Sequence, residues 1–362
     1  MGMRCLRCAL VVGALLWTTH SCSAQEVESF YGPLPVFEFH SGFWVNLHHF
    51  LYHEARARLA AKQAPATGSK SSGPVMKPSG NSANALSPAE QRTWDEVVGY
   101  YAANYADKDL LVNLDLILLK NQLGDFEDCT ELTGHKRREC DAGLPGNVGA
   151  MLEAAAPIYR AHWWADQDRA NRRWVIRVAP LVREQGVGIS ERLADVYQTH
   201  WPKEKIRVEV CAYANPAGAY TTLDPLRVTI SSMDPRNQGV DALAVLFNEA
   251  SHDIAQPVEA AIRRECKQRE KPIPRDLWHA LIIYTTGEVL RPLINDVAAE
   301  KGADGDTAAK SSGGNPVPNA LRDVLSQRGW EEYHLMLTMY WQPYLDGKVT
   351  FDNAIAHLVS AV

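Results

Sequence analysis

Apolar positions recur along this chain at two spacings, and each spacing predicts a different element. Phe43, Leu47, Phe50, Leu51 and Leu59 share one helical face, predicting a helix from Gly42 to Lys62. Ser87-Pro88-Ala89-Glu90 marks the start of another, with Ser as cap, Pro in the first turn and Glu three residues on. That helix runs to about Ala106. Further helices are predicted over Leu110 to Leu123, Val148 to Gln185 and Ile189 to His200. The pattern then changes to alternation. Ile206 to Tyr213 reads as a strand, and Ala219 to Thr222 and Leu226 to Ser231 as two shorter ones. Helical spacing returns over Gly239 to Ile254, Pro257 to Arg269, Arg275 to Asn295, Asn319 to Gln327, Glu331 to Leu345 and Phe351 to Ala361. Before the first helix lies an extended, Pro-containing stretch up to about Ser41. The order predicts an α+β protein, predominantly α-helical, with a small β-sheet just ahead of the helix over 239–254.

Composition divides the chain further. Residues 63–88 and 299–318 are rich in Ser, Gly, Ala, Pro and Lys and lack periodicity, so they read as a flexible linker and a disordered loop. Residues 1–24 have the form of a signal peptide: Arg4 and Arg7, a short apolar run from Cys8 to Trp17, and a small residue, Ala24, at the cleavage position. The remaining divisions are an N-terminal extended segment and helix (25–62), a helical region (89–204), a core of sheet and two helices (205–298) and closing helices (319–362). The leader's apolar run is shorter than the roughly 20 residues of a membrane span, and no later segment qualifies. The expectation is an exported protein, periplasmic or extracellular, with no integral membrane segment after cleavage. A lipid anchor at Cys22 is the lesser alternative, because Thr19-His20-Ser21 is a poor lipobox.

The net charge of −6 becomes more negative once the leader's two arginines are gone, and no basic cluster stands out, so no nucleic-acid partner is expected. Four cysteines follow the leader: Cys129, Cys140, Cys211 and Cys266. In an exported chain Cys129 and Cys140, flanking a short polar loop, are expected to bridge. Cys211 and Cys266 either pair or stay as buried free thiols.

The candidate chemistry lies in Leu246-Phe247-Asn248-Glu249-Ala250-Ser251-His252. It reads as the helical zinc motif His-Glu-x-x-His with Asn in place of the first His. The strand before it, this helix, and a later helix carrying Gly287-Glu288 together resemble a gluzincin, the thermolysin-like class of zinc metallopeptidases. Leu277 to Glu288 also resembles a stretch of uncharacterised exported proteins that keep an intact His-Glu-Ala-Ser-His. The likeness covers about Val210 to Arg291. It implies a zincin-like core, zinc as cofactor, and a peptide or protein as substrate or ligand. By position it implies Glu249 as general base, His252 as second ligand and Glu288 as third, with Asn248 where the first ligand would stand. It also implies that Leu226 to Ser231 is the sheet edge on which a peptide adds as a strand.

Asn248 changes the chemistry. A neutral amide oxygen is a weaker zinc donor than imidazole and suits harder cations. Two other residues compete for the third ligand position. His279 lies nine residues before Glu288, which at about 100° per residue puts the two on opposite helix faces, so only one of them can face a metal. Glu259 is a further candidate, beyond the helix break predicted at Pro257. His49 and His53, at i and i+4, either hold a metal or are satisfied imidazoles on a helix face. Tyr284 and Trp278 read as core. Tyr333, His334 and Tyr340 fall where a peptidase keeps a transition-state donor, though their spacing also fits packing. There is no G-x-S-x-G, phosphate loop or complete G-x-G-x-x-G. Two functions follow: a zinc-dependent peptidase weakened at Asn248, or a peptidase-derived protein that holds a peptide or partner without cutting it.

Overall fold

Val208, Val210, Val228 and Ile230 are all fully buried, and they belong to one apolar cluster. They come from the two central strands of a four-stranded sheet ordered β1-β2-β4-β3. Strand β1 (Phe37–His40) runs parallel to β2 (Ile206–Cys211), and β2 parallel to β4 (Leu226–Ser231). Strand β3 (Ala219–Leu223) closes the sheet antiparallel to β4. The computed structural model describes residues 34–63, 85–132, 143–302 and 328–362. The leader, the linker over 64–84 and Cys140 lie outside the described residues. So do most of the loop over 299–318 and the expected helix from Asn319 to Gln327.

The molecule is α+β and predominantly helical, as the pattern predicts. Ahead of β2 come α1 (Phe43–Gln63), α2 (Pro88–Asn104), α3 (Leu114–Asp125) and α4 (Val148–Tyr159). A π-helical turn, Arg160–Trp164, then joins α4 to α5 (Ala165–Val196). After the sheet follow α6 (Gly239–Ile254), α7 (Gln256–Gln268), α8 (Leu277–Gly302) and α9 (Glu331–Met336). A second π turn, Leu337–Trp341, leads to α10 (Gln342–Leu345) and α11 (Phe351–Ala361). The capping box at the start of α2 forms as expected: Ser87 N donates to Glu90 at 2.8 Å and Glu90 N to Ser87 Oγ at 3.3 Å.

Four expectations need correction. The extended stretch before Ser41 contains strand β1, whose partner Ile206 is too distant in sequence for local pattern to reveal. The sheet edges are β1 and β3, not Leu226 to Ser231, which is internal between β2 and β3. No break falls at Gly186-Val187-Gly188, since α5 runs through it. A side chain at 186 would stand 3.0 Å from Val36 Cγ2, so this glycine admits the approach to β1 rather than ending a helix. Helix α8 also runs four residues into the expected loop. Cys211 and Cys266 are buried free thiols, and Cys129 is disulfide-bonded.

Alternation along β2 and β4 sets their polar side chains on the face opposite the buried valines and Ile230. Here that side is buried as well. Glu209 and Thr229 pair across the strands and are almost wholly inaccessible. Arg207 Nε donates to Glu209 at 2.6 Å, and Arg207 also reaches Glu127 at 3.0 Å and the Gly124 carbonyl at 2.9 Å. Arg227 pairs with Asp125 and donates to the Asn121 carbonyl, while Lys120 Nζ donates to Thr222 at 2.8 Å. Burial alone would raise the Glu209 pKa, but Arg207, His40 and Lys120 outweigh it and hold the carboxyl below its usual value. Burial likewise lowers Lys120, against Glu209, to about 8. This charged layer lies between the sheet and α1 and α3. It separates the core shared by the sheet, α5, α6, α8 and α11 from a second core of α1 to α4. No helix among the described residues is long and apolar enough to cross a membrane.

Two predictions follow from this layer. An added Cβ on Gly124 would lie 2.6 Å from Glu209 Oε1 and 2.8 Å from Arg227 Nη1. Gly124→Ala therefore lowers stability by about 1–3 kcal/mol in urea denaturation, despite the better helix propensity of Ala. His49 is fully buried and neutral: Nδ1 donates to the Val45 carbonyl at 2.8 Å, and Nε2 accepts from Tyr220 at 2.8 Å. Burial holds its pKa down at about 4, and burial also lowers that of neighbouring His48. Below about pH 6.5 the unfolded chain binds protons that these native imidazoles refuse, so stability falls with acidification. The His49 contribution levels off below about pH 4. His49→Gln makes the decline between pH 6.5 and 4 shallower by up to one proton, read from urea midpoints across that range.

Candidate functional site

Leu243, Leu246, Phe247 and Ala250 are fully buried, and Ile254 nearly so, on one face of α6. Phe247 packs edge-on against Phe37 at 5.1 Å and tilted against Trp201 at 5.5 Å. That face fixes the roll of the helix. The other face turns Val245, Asn248, Glu249 and His252 into a cavity of about 90 Å³. Such a space holds several waters or a hydrated ion, not a drug-sized ligand. Opposite stand Ala217, Ala219 and Thr221, from β3 and its approach. His279 and Ile283 of α8 close one side, and Arg236, Arg328 and Leu111 complete the rim.

Glu249 is fixed by the edge strand. Thr221 Oγ1 lies 2.8 Å from its carboxylate and 2.9 Å from its carbonyl oxygen, with one hydroxyl proton shared between two acceptors. Asn248 is 6% exposed, and its Oδ1 has no hydrogen-bond partner among the described residues. His252 and His279 meet with ring centres 4.9 Å apart at 73°. His279 stacks on Trp278 at 5.3 Å and meets the Trp330 edge at 5.3 Å, and His252 meets Trp278 at 5.6 Å. Trp278 is thus packing, as expected, but packing for the two imidazoles of the cavity. Burial holds both histidines below the ordinary imidazole pKa, His279 down to about 3, where His252 and Arg328 add to the effect. Glu249 opposes the shift at His252. Both rings are neutral near pH 7.

The structure brings together Asn248, Glu249 and His252, and it adds His279. It does not bring Glu288 into the cavity. Glu288 lies on the other side of α8, ion-paired with Arg291 and close to Gln342 and Asp346. Burial raises its pKa, against the pull of Arg291. The half-turn offset between the two residues is therefore resolved in favour of His279. Glu259 pairs with Arg263 on α7, and the new helix beginning at Gln256 keeps it off the cavity. His49 is satisfied inside α1, and His53 stacks on Tyr213 at 4.9 Å. Tyr333, His334 and Tyr340 do not line the cavity.

Thr221, Arg236 and Arg328 line the cavity but were not legible as site residues. Arg236 is held by a double contact with Asp234, at 3.0 and 2.6 Å, and donates to the Pro216 carbonyl at 2.9 Å, bracing the approach to β3. The resemblance implies zinc, and the gluzincin ligand set does not fit. Its first imidazole is an amide here and its carboxylate faces elsewhere. Among the described residues no group of three or more His, Cys, Asp or Glu side chains is arranged to hold a metal ion. No protein-family model, curated protein or solved structure matches the chain.

The Thr221 contact gives a direct test of how the edge strand and the motif helix are joined. Thr221→Val leaves the shape intact but removes the donor to Glu249. It lowers stability by about 1.5–3 kcal/mol in urea denaturation, the range for a hydrogen bond to a charged group.

Proposed function

We propose that this chain is an exported, peptidase-derived protein that holds an extended peptide segment in the cleft between β3 and α6, with hydrolysis weakened or lost. One observation carries the reading. The sheet ends in an antiparallel edge strand, β3, whose Thr221 is bonded to Glu249 of the motif helix, while the position of the first zinc ligand is Asn248. An edge strand can pair its free backbone groups with an added peptide, and alternate side chains then fall toward the cleft. Exposed apolar side chains support the same use of the surface. Leu111, at the cavity rim, is 43% exposed, Val112 beside it 79%, and Leu223 at the end of β3 53%. The export leader puts such a protein where unfolded or secreted segments are available.

The weakness of catalysis has a chemical basis. Peptide hydrolysis by this motif needs a water made acidic by a metal with three protein ligands and a carboxylate to take the proton. Glu249 supplies a carboxylate at the cavity, held in place by its hydrogen bond from Thr221. A loss of even an outer metal contact costs roughly 10–100-fold in metal affinity or activity, and the replacement of an imidazole by an amide costs at least that.

Fluorescence anisotropy with a library of extended peptides measures this function. Binding is expected, weakened at least tenfold by Thr221→Arg, which fills the cleft. Ile176→Arg, on the exposed face of α5, leaves it unchanged. The same peptides remain uncut, or are cut only slowly. Rapid cleavage abolished by Glu249→Gln would overturn the non-cleaving reading, and an absence of binding across the library would overturn the cleft.

A further inference from the structure

Resting on the peptide-holding reading of the cleft, we infer that the cavity receives the free C-terminal carboxylate of the bound peptide, with Arg328 as its counter-charge. Three observations converge. First, Arg328 lines the cavity, and among the described residues no carboxylate is paired with it. Its Nη1 lies 3.5 Å from His279 Nδ1, a long contact, and its Cζ lies 4.8 Å from the centre of the Trp330 ring. The ring positions the guanidinium without neutralising it, and most of its five donors are left for a ligand. Arg236, the other arginine at the cavity, is already neutralised by Asp234. Second, the two imidazoles supply neutral donors, one N–H from each ring. A guanidinium only donates, so His279 Nδ1 accepts and the ring proton sits on Nε2. That nitrogen and both ring nitrogens of His252 have no hydrogen-bond partner among the described residues, and none of them is sealed from solvent. With ring centres 4.9 Å apart, both imidazoles can meet one small anion. Trp278 and Trp330 hold the ring of His279 on two sides, so it is oriented before a ligand arrives. Third, a space of about 90 Å³ admits a carboxylate and a water but no large side chain.

Charge decides which anion fits. Both imidazoles are neutral near pH 7, so the cavity sets one unpaired cation, Arg328, against the carboxylate of Glu249, which Thr221 holds at 2.8 Å. That balance tolerates a monoanion and penalises a phosphate dianion. A peptide carries one such monoanion at its C-terminus at every pH above about 4. Val245, Ala219 and Ile283 line the same space and lower its effective dielectric, which strengthens the pairing of a carboxylate with Arg328. The shape also favours an end over a through-going chain. His279 and Ile283 close one side of the cavity, so a segment laid along β3 stops there.

Fluorescence anisotropy of the purified chain tests this with three matched hexapeptide libraries, each labelled at the N-terminus. One ends in the free carboxylate, one in the C-terminal amide, and one in the amide of a final glutamate. The free acids are expected to bind at least tenfold more tightly than the amides, as hydrogen bonds to a charged group allow. The glutamate amides stay within twofold of the plain amides. Arg328→Gln weakens binding of the free acids at least fivefold and leaves the amides within twofold, while Arg328→Lys restores part of the loss. Glu249→Gln strengthens binding of the free acids by removing the opposing charge, whereas a merely structural role would weaken all three libraries alike. Circular dichroism checks that each variant is folded. Should Arg328→Gln fail to fold, the comparison of acid with amide on the native chain remains decisive. Equal affinity for acids and amides overturns the inference and leaves the peptide-holding cleft standing. An absence of binding by every library overturns both. A preference for acids that survives Arg328→Gln removes Arg328 as the counter-charge. Glutamate amides as tight as the free acids would put a side-chain carboxylate in the cavity and overturn the assignment to the terminus.

Discussion

The cleft depends on how α6 is rolled, and its roll is set by burial. Leu243, Leu246 and Phe247 are wholly withdrawn from water against the sheet, α5 and α8, with Ala250 and Ile254 completing the stripe. Each of the large side chains is worth about 1.5–3 kcal/mol when buried. A roll by one residue, about 100°, would bring Asn248 and His252 toward the core and expose part of that stripe. The apolar face therefore holds the polar one in place, and the chemistry of Asn248, Glu249 and His252 rests on leucines and a phenylalanine that never touch a ligand. The edge strand then fixes the one polar contact that matters at the rim, between Thr221 and Glu249.

Around this helix the protein solves a second problem, a sheet buried on both faces. One face is aliphatic and packs on α5 and α6. The other is charged and lies beneath α1 and α3, where Arg207 pairs with Glu209 and Glu127, Arg227 pairs with Asp125, and Lys120 donates to Thr222. Ions so deeply placed are costly to desolvate, and they are tolerated because each has a partner at hydrogen-bond distance. A neutral network continues the seam between the two cores. Asn46 donates to the Val210 carbonyl and accepts from Ala212 N, and Asn171 links it to Ser41 and Ser232. Such groups specify one alignment of the two cores more strictly than apolar contact would, since any slip leaves a buried polar atom unpaired.

The candidate site was partly legible. The i and i+4 spacing put Asn248 and His252 on one helix face with Glu249 beside the first, and all three line the cavity. The phase of α8 showed that His279 and Glu288 exclude one another, but not which of them turns inward. That was decided by the C-terminal helices: Glu288 has Arg291 and Gln342 for company, while His279 is gripped by Trp278 and Trp330. Thr221, Arg236 and Arg328 carried no local signal. They reach the cavity only because the sheet closes with β3 and because a loop and a distant turn fold over it.

By itself, then, the sequence determined the class of the protein, most of its helices, the capping of α2 and the helix that carries the chemistry. These are local properties, written in the spacing of apolar residues and in residues that bond to near neighbours. It could not determine which strands are the edges, since β1 pairs with a segment far along the chain, nor that the polar side of the sheet is covered. Nor could it choose the partner of His252. Those outcomes depend on pairing and packing between segments distant in sequence, where the free energy of one residue is set by neighbours that only the folded chain brings to it.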